Sequence, residues 1–219
     1  MSVAAAVLAA GRGSRLGGDA SKPLLVWRGR PLVTWAVDAA LASGLAPVVV
    51  IVGYRGDEVR AALSPFSRTS QSSRTDVGVN SEMIGVDLGV DLGVEVVENP
   101  DWDEGIASSL RAVLTTLAPR PDLDAVCVGL ADQPRVSAEA YRRVAATAGE
   151  LVIPTYDGHP GNPVKLARSL WREALALRGD VGARALARDR AVRIDCTGTG
   201  SAADVDTLED LERLQQEDQ

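Results

Sequence analysis

One short stretch near the start of the chain combines glycines and cations in an order that suits phosphate binding. Residues 8–25 read LAAGRGSRLGGDASKPLL, in which an apolar run leads into glycines and three cations, Arg12, Arg15 and Lys22, with no acid before Asp19. A glycine-rich loop after a strand lets backbone N–H groups approach an anion closely. The stretch therefore predicts a site for a phosphate-bearing ligand.

Two common phosphate-binding loops do not match this stretch. The P-loop requires GxxxxGK followed by Ser or Thr, whereas Lys22 here follows Ser21 and precedes Pro23. The dinucleotide-binding loop requires GxGxxG, and its sixth position is Leu16 in this chain. In addition, the predicted strand that ends at Val52 is followed by glycine rather than by an acid that would hold a ribose.

A third pattern fits the stretch. It resembles LAAGxGxRxG followed by lysine and proline, the signature loop of the nucleotidyltransferase family that includes sugar-phosphate and molybdenum cofactor nucleotidyltransferases. The matching residues are Leu8, Ala9, Ala10, Gly11, Gly13, Arg15, Gly17 and Lys22. The resemblance implies that the loop from Leu8 to Gly13 binds the nucleotide, that Arg15 binds the β- and γ-phosphates as a fork, and that Lys22 stabilises charge developing on the α-phosphate.

Nucleotidyl transfer also needs a divalent cation, and the sequence offers acids at two places. Asp132 follows the apolar run Ala125–Leu130, and the resemblance makes it a catalytic residue and the first Mg²⁺ ligand. The late segment ADVDTLED resembles the family ending D-[IV]-D-T-P-E-D-L and implies Asp206 as the second ligand, with Asp204 as the alternative. Asp206 also precedes a predicted helix, so a purely structural role as its N-cap stays open.

Three further stretches resemble the molybdenum cofactor cytidylyltransferase-like members of the family. Residues 99–111, NPDWDEGIASSLR, resemble N-P-x-W-x-x-G-x-x-x-S-L-R and imply a ligand contact from Ser109. Residues 158–164, GHPGNPV, resemble G-x-x-G-H-P-V and imply contacts from Gly161 and Asn162, where Asn162 replaces the family histidine and leaves the acceptor contact open. Residues 178–184, RGDVGAR, match L-x-G-D-x-G-A-R and imply that Arg184 binds an acceptor phosphate, a surface arginine being the alternative.

The composition narrows the class of protein. The 219 residues carry a formal net charge of −7, and an acidic chain does not suit duplex nucleic acid or an anionic membrane, which need a basic face. Cys127 and Cys196 lie far apart in apolar runs, so both are predicted to be buried free thiols. The chain starts without a charged region, and no apolar stretch reaches the roughly 18 residues of a membrane span, so we expect a cytoplasmic protein.

Strands alternate with helices along most of the chain. The predicted strands are Val3–Ala10, Val48–Val52, Val94–Glu98, Ala125–Leu130, Leu151–Pro154, Pro163–Leu166 and Val192–Asp195. The predicted helices are Pro31–Ser43, Asp57–Leu63, Ile106–Leu117, Ala138–Ala148, Ser169–Leu177, Ala183–Arg188 and Thr207–Gln215. This alternation favours a three-layer α/β/α sandwich on a mostly parallel, Rossmann-like mixed sheet, with at least one antiparallel strand after residue 150.

The resemblance implies the same fold, that of the nucleotide-diphospho-sugar transferases. We expect a single NTP-transferase-like domain over residues 1–219. Residues 64–91 contain SRTSQSSRTD and a glycine-rich repeat, and they are predicted to form a flexible surface insertion within that domain.

The resemblance further implies a reaction and its partners. The LAAG loop and the cytidylyl-like stretches favour CTP, with a phosphate oxygen of a molybdopterin-type acceptor attacking the α-phosphorus, Mg²⁺ bound and pyrophosphate leaving. A molybdoenzyme that receives the product is an implied partner, and nucleic acid and membrane are not. The only histidine, His159, is predicted to be a loop residue, so no Ser/His/Asp arrangement is available.

Other functions stay open at this stage. Guanylyl transfer, or another nucleotidyl transfer to a different phosphorylated acceptor, requires only different base or acceptor contacts. Some relatives of this group are described as oxidoreductases that act on a pigment with a nicotinamide cofactor, although the broken GxGxxG pattern argues against that reaction. The third alternative is a non-catalytic protein that binds a nucleotide or delivers the cofactor, and the cations and acids of the predicted site argue for catalysis instead.

Overall fold

The computed structural model describes residues 1–13, 20–66, 93–187 and 190–217, which form a central sheet with helices on both faces. The strands are β1 (Val3–Ala9), β2 (Val26–Trp27), β3 (Arg30–Pro31), β4 (Val48–Val52), β5 (Val94–Glu98), β6 (Ala125–Leu130), β7 (Leu151–Tyr156), β8 (His159–Pro160), β9 (Val164–Ala167) and β10 (Ala191–Asp195). The helices are α1 (Leu32–Ala42), α2 (Gly56–Ala62), α3 (Ile106–Leu117), α4 (Ala138–Ala146), α5 (Trp171–Ala174) and α6 (Leu208–Gln216).

The main sheet is mixed, with a parallel half and an antiparallel insertion. Its strand order is β10-β7-β9-β6-β1-β4-β5. The short strand β8 pairs with β7 and is not part of this order. The pairs β6–β1, β1–β4 and β4–β5 are parallel, and so is β10–β7. Strand β9 is antiparallel to both β6 and β7, which confirms the predicted antiparallel strand after residue 150. The described residues thus confirm the mostly parallel mixed sheet.

Two apolar cores lie on opposite faces of the sheet, as a three-layer sandwich requires. Side chains alternate along β1, so that Ala5 and Val7 join one core and Ala6 and Leu8 join the other. The first core is covered by α1, α2 and α4, and the second by α3 and α5. Because β1 is buried on both faces, its sequence is a continuous apolar run rather than an alternating one.

The parallel strands bring several chain segments to one edge of the sheet. Strands β1, β4, β5 and β6 all run in the same direction, so their carboxyl ends lie side by side. Ligands of open parallel sheets bind beyond these carboxyl ends. The segments that follow the four strands begin at Ala10, Gly53, Asn99 and Ala131.

Two short hairpins were not predicted from the sequence. Strands β2 and β3 pair around Arg28 and Gly29, whose φ angles are 46° and 75°. Strands β7 and β8 pair around Asp157 and Gly158, whose φ angles are 50° and 82°. Positive φ at both central residues is what a type I′ hairpin turn requires, and Asp-Gly is a strong sequence signal for it. The Asp157-Gly158 pair could therefore have revealed the second hairpin.

The predicted helix Ser169–Leu177 is wrong in its extent. A 3-10 turn over Arg168–Leu170 is followed by only four α-helical residues, Trp171–Ala174. Beyond the end of this helix the Arg178 guanidinium donates to the carbonyl oxygens of Leu175 and Leu177. The helix predicted over Ala183–Arg188 is a 3-10 turn, Ala183–Leu186, and Arg188 lies outside the described residues.

Cys127 and Cys196 are both free and buried, as predicted. Of the insertion predicted over residues 64–91, Ser64–Phe66 form a 3-10 turn and the remainder lies outside the described residues. Within the residues that the structure describes, every helix is too short or too polar to cross a bilayer.

Candidate active site

The glycine loop opens at the carboxyl end of β1, against the larger of two cavities on this edge of the sheet. Leu8, Ala10, Gly11 and Gly13 line this cavity, which encloses about 690 Å³ and is called here the nucleotide cavity. Gly13 has a φ of 70°, and a side chain at Gly11 would meet nothing within 4 Å, so the backbone is accessible on this side. Arg15 and Gly17 lie outside the described residues.

Lys22 connects the glycine loop with the acids predicted to bind metal. Its Nζ donates a hydrogen bond to Asp206 and lies 3.5 Å from Asp132 Oδ2. Lys22 begins the 3-10 turn Lys22–Leu24, in which Pro23 fixes the backbone just after the lysine. The two acids come from positions 110 and 184 residues away in sequence, and the fold brings both to the one cation.

Asp132 lies in the turn after β6, where burial changes its titration. Burial, followed by the charge of Asp204, raises the pKa of its carboxyl to about 6 against the opposing effect of Lys22. Only 21% of its side chain is exposed, compared with 29% for Asp206. A cation that approaches this partly desolvated carboxylate stabilises its negative charge.

The end of the chain returns to this turn as an extended segment. Val205 N donates to Asp132 O at 2.9 Å, and Ser201 N donates to Arg135 O at 3.1 Å. Thr207 then caps α6 through a reciprocal pair of hydrogen bonds with Asp210. Thr207, not Asp206, is therefore the side chain that caps α6, and Asp206 is left to face Lys22.

The described acids fit a hard cation that binds mainly to phosphate and water. No group of three or more Asp, Glu, His or Cys side chains within residues 1–13, 20–66, 93–187 and 190–217 is arranged to hold a metal without other ligands. Mg²⁺ commonly uses one or two carboxylates and completes its octahedron with waters and substrate phosphates. Asp132 and Asp206, both next to Lys22, are suitable for that role.

Ser109 lines the nucleotide cavity from the first turn of α3, and its contact with a ligand stays a prediction. Asn99, which follows β5 and is 3% exposed, donates from Nδ2 to the hydroxyl oxygens of Ser108 at 2.8 Å and Ser109 at 3.2 Å. Its Oδ1 accepts from Asp101 N at 3.1 Å. Asn99 was not predicted as a supporting residue, although a polar side chain directly after a parallel strand is a recognisable signal.

A second, smaller cavity adjoins the first and is called here the apolar cavity. It encloses about 320 Å³ between the carboxyl ends of β1 and β6, the start of β9, helix α3 and residues 180–185. Its polar side chains are Asn162, Asp180 and Arg184, and the rest of the lining is aliphatic or glycine. Asp180 and Arg184 line both cavities, so they lie at the boundary between them. Asp180 was not among the site residues predicted from the sequence.

The remaining predicted site residues lie in the wall of the apolar cavity, on the surface or in the core. Asn162 is 6% exposed in the wall of the apolar cavity, and Arg184 is exposed and donates to Pro160 O at 3.3 Å. Gly161 is buried where a Cβ would lie 2.5 Å from Ala202 and 2.8 Å from the Tyr156 ring, so it allows close packing and lines neither cavity. Ala9 is likewise a core residue.

This combination of fold and site has a match among known protein families. Residues 5–194 match the MobA-like NTP transferase domain. The chain belongs to this family, and it is a nucleotidyltransferase.

The most informative relatives cover nearly the whole chain. It is 30% identical over 228 residues to nicotine blue oxidoreductase of Paenarthrobacter nicotinovorans, across 97% of this chain and 96% of that protein. It is 28% identical to the solved structure of Rv0371c from Mycobacterium tuberculosis H37Rv, with 99% of both chains covered and a TM-score of 0.71. That mycobacterial protein has also been solved in complex with manganese. A nucleotidyl transferase from Methanothermobacter thermautotroptrophicus shares the fold at 24% identity and a TM-score of 0.72, across 99% of this chain and 97% of that one.

Proposed function

We propose that this nucleotidyltransferase moves CMP from CTP to the phosphate of a molybdopterin-type acceptor and releases pyrophosphate. The observation that carries the proposal is the convergence of Lys22, Asp132 and Asp206 at the mouth of the glycine loop. The accessible backbone of the loop suits the phosphates of a nucleoside triphosphate. The lysine and the two carboxylates beside it suit an in-line attack on the α-phosphorus.

Each described residue has a distinct task in this reaction. The backbone at Gly11 and Gly13 binds the phosphates, and Lys22 turns from its acids toward the α-phosphate, where charge develops. An acceptor phosphate oxygen forms the new bond to the α-phosphorus while the bond to the bridging oxygen of the β-phosphate breaks, and pyrophosphate carries away the electron pair. The role of Arg15 on the β- and γ-phosphates stays a prediction from the sequence.

We propose Mg²⁺ as the divalent ion of this reaction. Asp132 and Asp206 would hold it, with Asp204 close by. When bound, it neutralises charge on the phosphates and on the leaving pyrophosphate. The manganese complex of the mycobacterial relative supports a divalent ion in this family without specifying which one acts here.

The apolar cavity supports an acceptor with a flat ring system over a sugar or polyol phosphate. Hydroxyl groups buried against aliphatic walls would lose hydrogen bonds to water without replacing them, which costs about 1–3 kcal/mol for each group. A ring with apolar faces loses little there. Arg184, at the boundary between the cavities, would bind the anionic end of such an acceptor beside the nucleotide.

The first experiment is a thermal-shift panel with CTP, GTP, ATP, UTP, NADH and NADPH, each with and without Mg²⁺. Saturation at 100 times the dissociation constant adds about 2.7 kcal/mol, which is roughly 5–10 °C for a chain of this size. A Mg²⁺-dependent shift with CTP supports the proposal, and one with GTP instead moves the assignment to guanylyl transfer.

Asp132→Ala should remove the Mg²⁺-dependent part of the shift and the release of pyrophosphate while the far-UV circular dichroism stays unchanged. Full activity of that variant would contradict the metal assignment.

The relative named nicotine blue oxidoreductase favours a second candidate function, reduction by NAD(P)H of a flat pigment. A thermal shift with NADPH alone, together with NADPH oxidation in the presence of a quinonoid dye, would support it. A protein that binds a nucleotide without pyrophosphate release would correspond to the delivery alternative. The cytoplasmic location and a receiving molybdoenzyme remain predictions from the sequence.

A further inference from the structure

A chain of buried amides connects the apolar cavity with the acids of the nucleotide cavity. Asn162 Nδ2 donates to Gln133 Oε1 at 3.1 Å. Gln133 Nε2 donates to Ala202 O and to Asp204 Oδ1, both at 2.8 Å. Gln133 is 3% exposed and Asn162 is 6% exposed, so water competes little for these hydrogen bonds.

The direction of these hydrogen bonds is determined by chemistry. Ala202 O and the Asp204 carboxylate can only accept, so Gln133 must turn its NH₂ group toward them. Its carbonyl oxygen then faces Asn162, which must supply the N–H. An aliphatic residue at position 162 would leave the Gln133 carbonyl without its donor and free the amide to rotate away from Asp204.

Gln133 lies where a rotation would affect the candidate metal ligands. It follows Asp132 directly, in the turn whose backbone oxygen accepts from Val205 N. The segment 202–206 that it holds carries Asp204 and Asp206. The charge of Asp204 also acts on Asp132, so the three acids lie within electrostatic reach of one another.

We infer that Asn162 is a positioning residue that acts through Gln133 to hold Asp204 and Asp206 in place for the divalent ion. This inference rests on the proposed function, because it assigns a metal to those acids. It also gives a physical reason why asparagine can replace the family histidine here. An N–H donor toward Gln133 is the property that this position needs, and both side chains can supply one.

The test is a double-mutant cycle on metal affinity, measured by Mn²⁺ electron paramagnetic resonance in the presence of CTP. Asn162→Leu and Gln133→Leu should each weaken Mn²⁺ binding by about tenfold, in the lower range for partners of metal ligands. The double variant should be no weaker than either single variant, because both changes break one chain. Asn162→His should stay within about threefold of the parent protein, because it keeps a donor.

The kinetic readout separates positioning from direct contact. Asn162→Leu should lower kcat for pyrophosphate release and leave KM for CTP nearly unchanged, because Asn162 does not line the nucleotide cavity. Additive losses of Mn²⁺ affinity in the double variant, or a leucine variant with unchanged Mn²⁺ affinity, would overturn the inference. So would an Asn162→His variant as weak as Asn162→Leu.

Failure of the inference differs from failure of the proposed function. Normal pyrophosphate release with no effect of Asn162→Leu overturns the positioning role alone. A non-additive cycle in Mn²⁺ affinity without any pyrophosphate release overturns the proposed reaction and leaves the positioning role supported. A parent protein that binds no Mn²⁺ overturns both. Circular dichroism of each variant shows that it is folded, and the histidine variant serves as the matched control.

Discussion

At the scale of single residues, Lys22 is notable for its contacts with two acids from distant parts of the chain. It is one of only two lysines among 23 basic residues, and it pairs with two acids rather than with solvent. With 15% of its side chain exposed, these contacts are screened less than those of a surface ion pair. A lysine suits the proposed role because its flexible stem would let the ammonium move between its acids and the phosphate of the proposed nucleotide.

Lys22→Ala should lower kcat for pyrophosphate release by about 100-fold or more, in line with the loss of one donor at a developing oxyanion. The measurement is steady-state pyrophosphate release with CTP, Mg²⁺ and a molybdopterin-type acceptor. Arg30→Ala is the matched control, because Arg30 pairs with Asp38 at 2.6 Å in the same part of the chain but lines neither cavity. Equal rates for the two variants would mean that Lys22 does not act on the transition state.

At the scale of elements, the second lysine links β9 to α4. Lys165 is fully buried, and its Nζ donates to Thr147 O and, at 3.4 Å, to Ala145 O at the end of α4. A cation at a helix carboxyl end meets unpaired carbonyls and the negative end of the helix dipole. Burial nevertheless lowers the pKa of Lys165, and Cys127 opposes the shift.

This lowered pKa makes the stability of the protein depend on pH in a predictable direction. At a pH above the usual lysine pKa of about 10.4, the amine is neutral in both the folded and the unfolded state. At a pH below the folded-state pKa, it is charged in both. Between these values the unfolded chain binds more protons, so the free energy of unfolding rises with pH. Relative to Lys165→Met, the parent protein should therefore gain stability from neutral pH toward pH 10 in urea titrations. A relative loss of stability over that range would show that the pKa is raised instead.

The caps of α4 and α6 offer a comparison between an element that supports the site and one that does not. The Ser137 side chain accepts from Ala140 N at the start of α4, and that of Thr207 accepts from Asp210 N at the start of α6. Each substitution by alanine should cost about 1 kcal/mol of stability in urea unfolding. Only Thr207→Ala should also weaken Mn²⁺ binding, because Thr207 directly follows Asp206. Equal effects of both variants on Mn²⁺ binding would contradict this distinction.

At the scale of the whole molecule, the fold forms two cavities from distant segments, one mostly aliphatic and one lined by charged residues. The nucleotide cavity combines the glycine loop, the turn after β6 and the end of the chain, whereas the apolar cavity combines β6, β9, α3 and residues 180–185. Asp180 and Arg184 reach both because residues 179–180 pack against Gly105 at the start of α3. Two adjoining cavities suit a reaction that joins two substrates.

Val181→Asp should weaken binding of an aromatic acceptor probe and spare the nucleotide. Val181 lines only the apolar cavity, and a carboxylate there would disfavour an apolar-faced, anionic ligand by about tenfold or more. The measurement is fluorescence titration with 6-carboxypterin, with myo-inositol 1-phosphate as competitor. Val192→Asp is the matched control, because Val192 on β10 is 38% exposed compared with 39% for Val181 and lines neither cavity.

Equal affinity of both variants for the probe would place the acceptor elsewhere. Displacement of the probe by myo-inositol 1-phosphate at equal concentration would favour a polyol acceptor. An unchanged thermal shift with CTP and Mg²⁺ in Val181→Asp shows that the nucleotide cavity remains intact.

The amino-acid sequence by itself determined the elements and the residues with local signals. The predicted strands Val48–Val52 and Ala125–Leu130 match the observed strands residue for residue, because burial on both faces requires a continuous apolar run. Val94–Glu98 also matches, although it is a partly buried edge strand that carries two glutamates. The Ser137 cap of α4 is a local feature of the same kind, since it depends only on residues three positions apart. The glycine loop and its cations were recognisable because their spacing is local.

Only the tertiary structure decided which of these residues meet. Lys22 and Asp206 are 184 positions apart, and Gln133 and Asp204 are 71 apart. Their contacts depend on the strand order and on the return of the chain end to the turn after β6, which no local pattern specifies. The apolar cavity and the Asn162–Gln133 pair could not be predicted from the sequence for the same reason. A cavity wall and a buried amide partner form only when the layers pack.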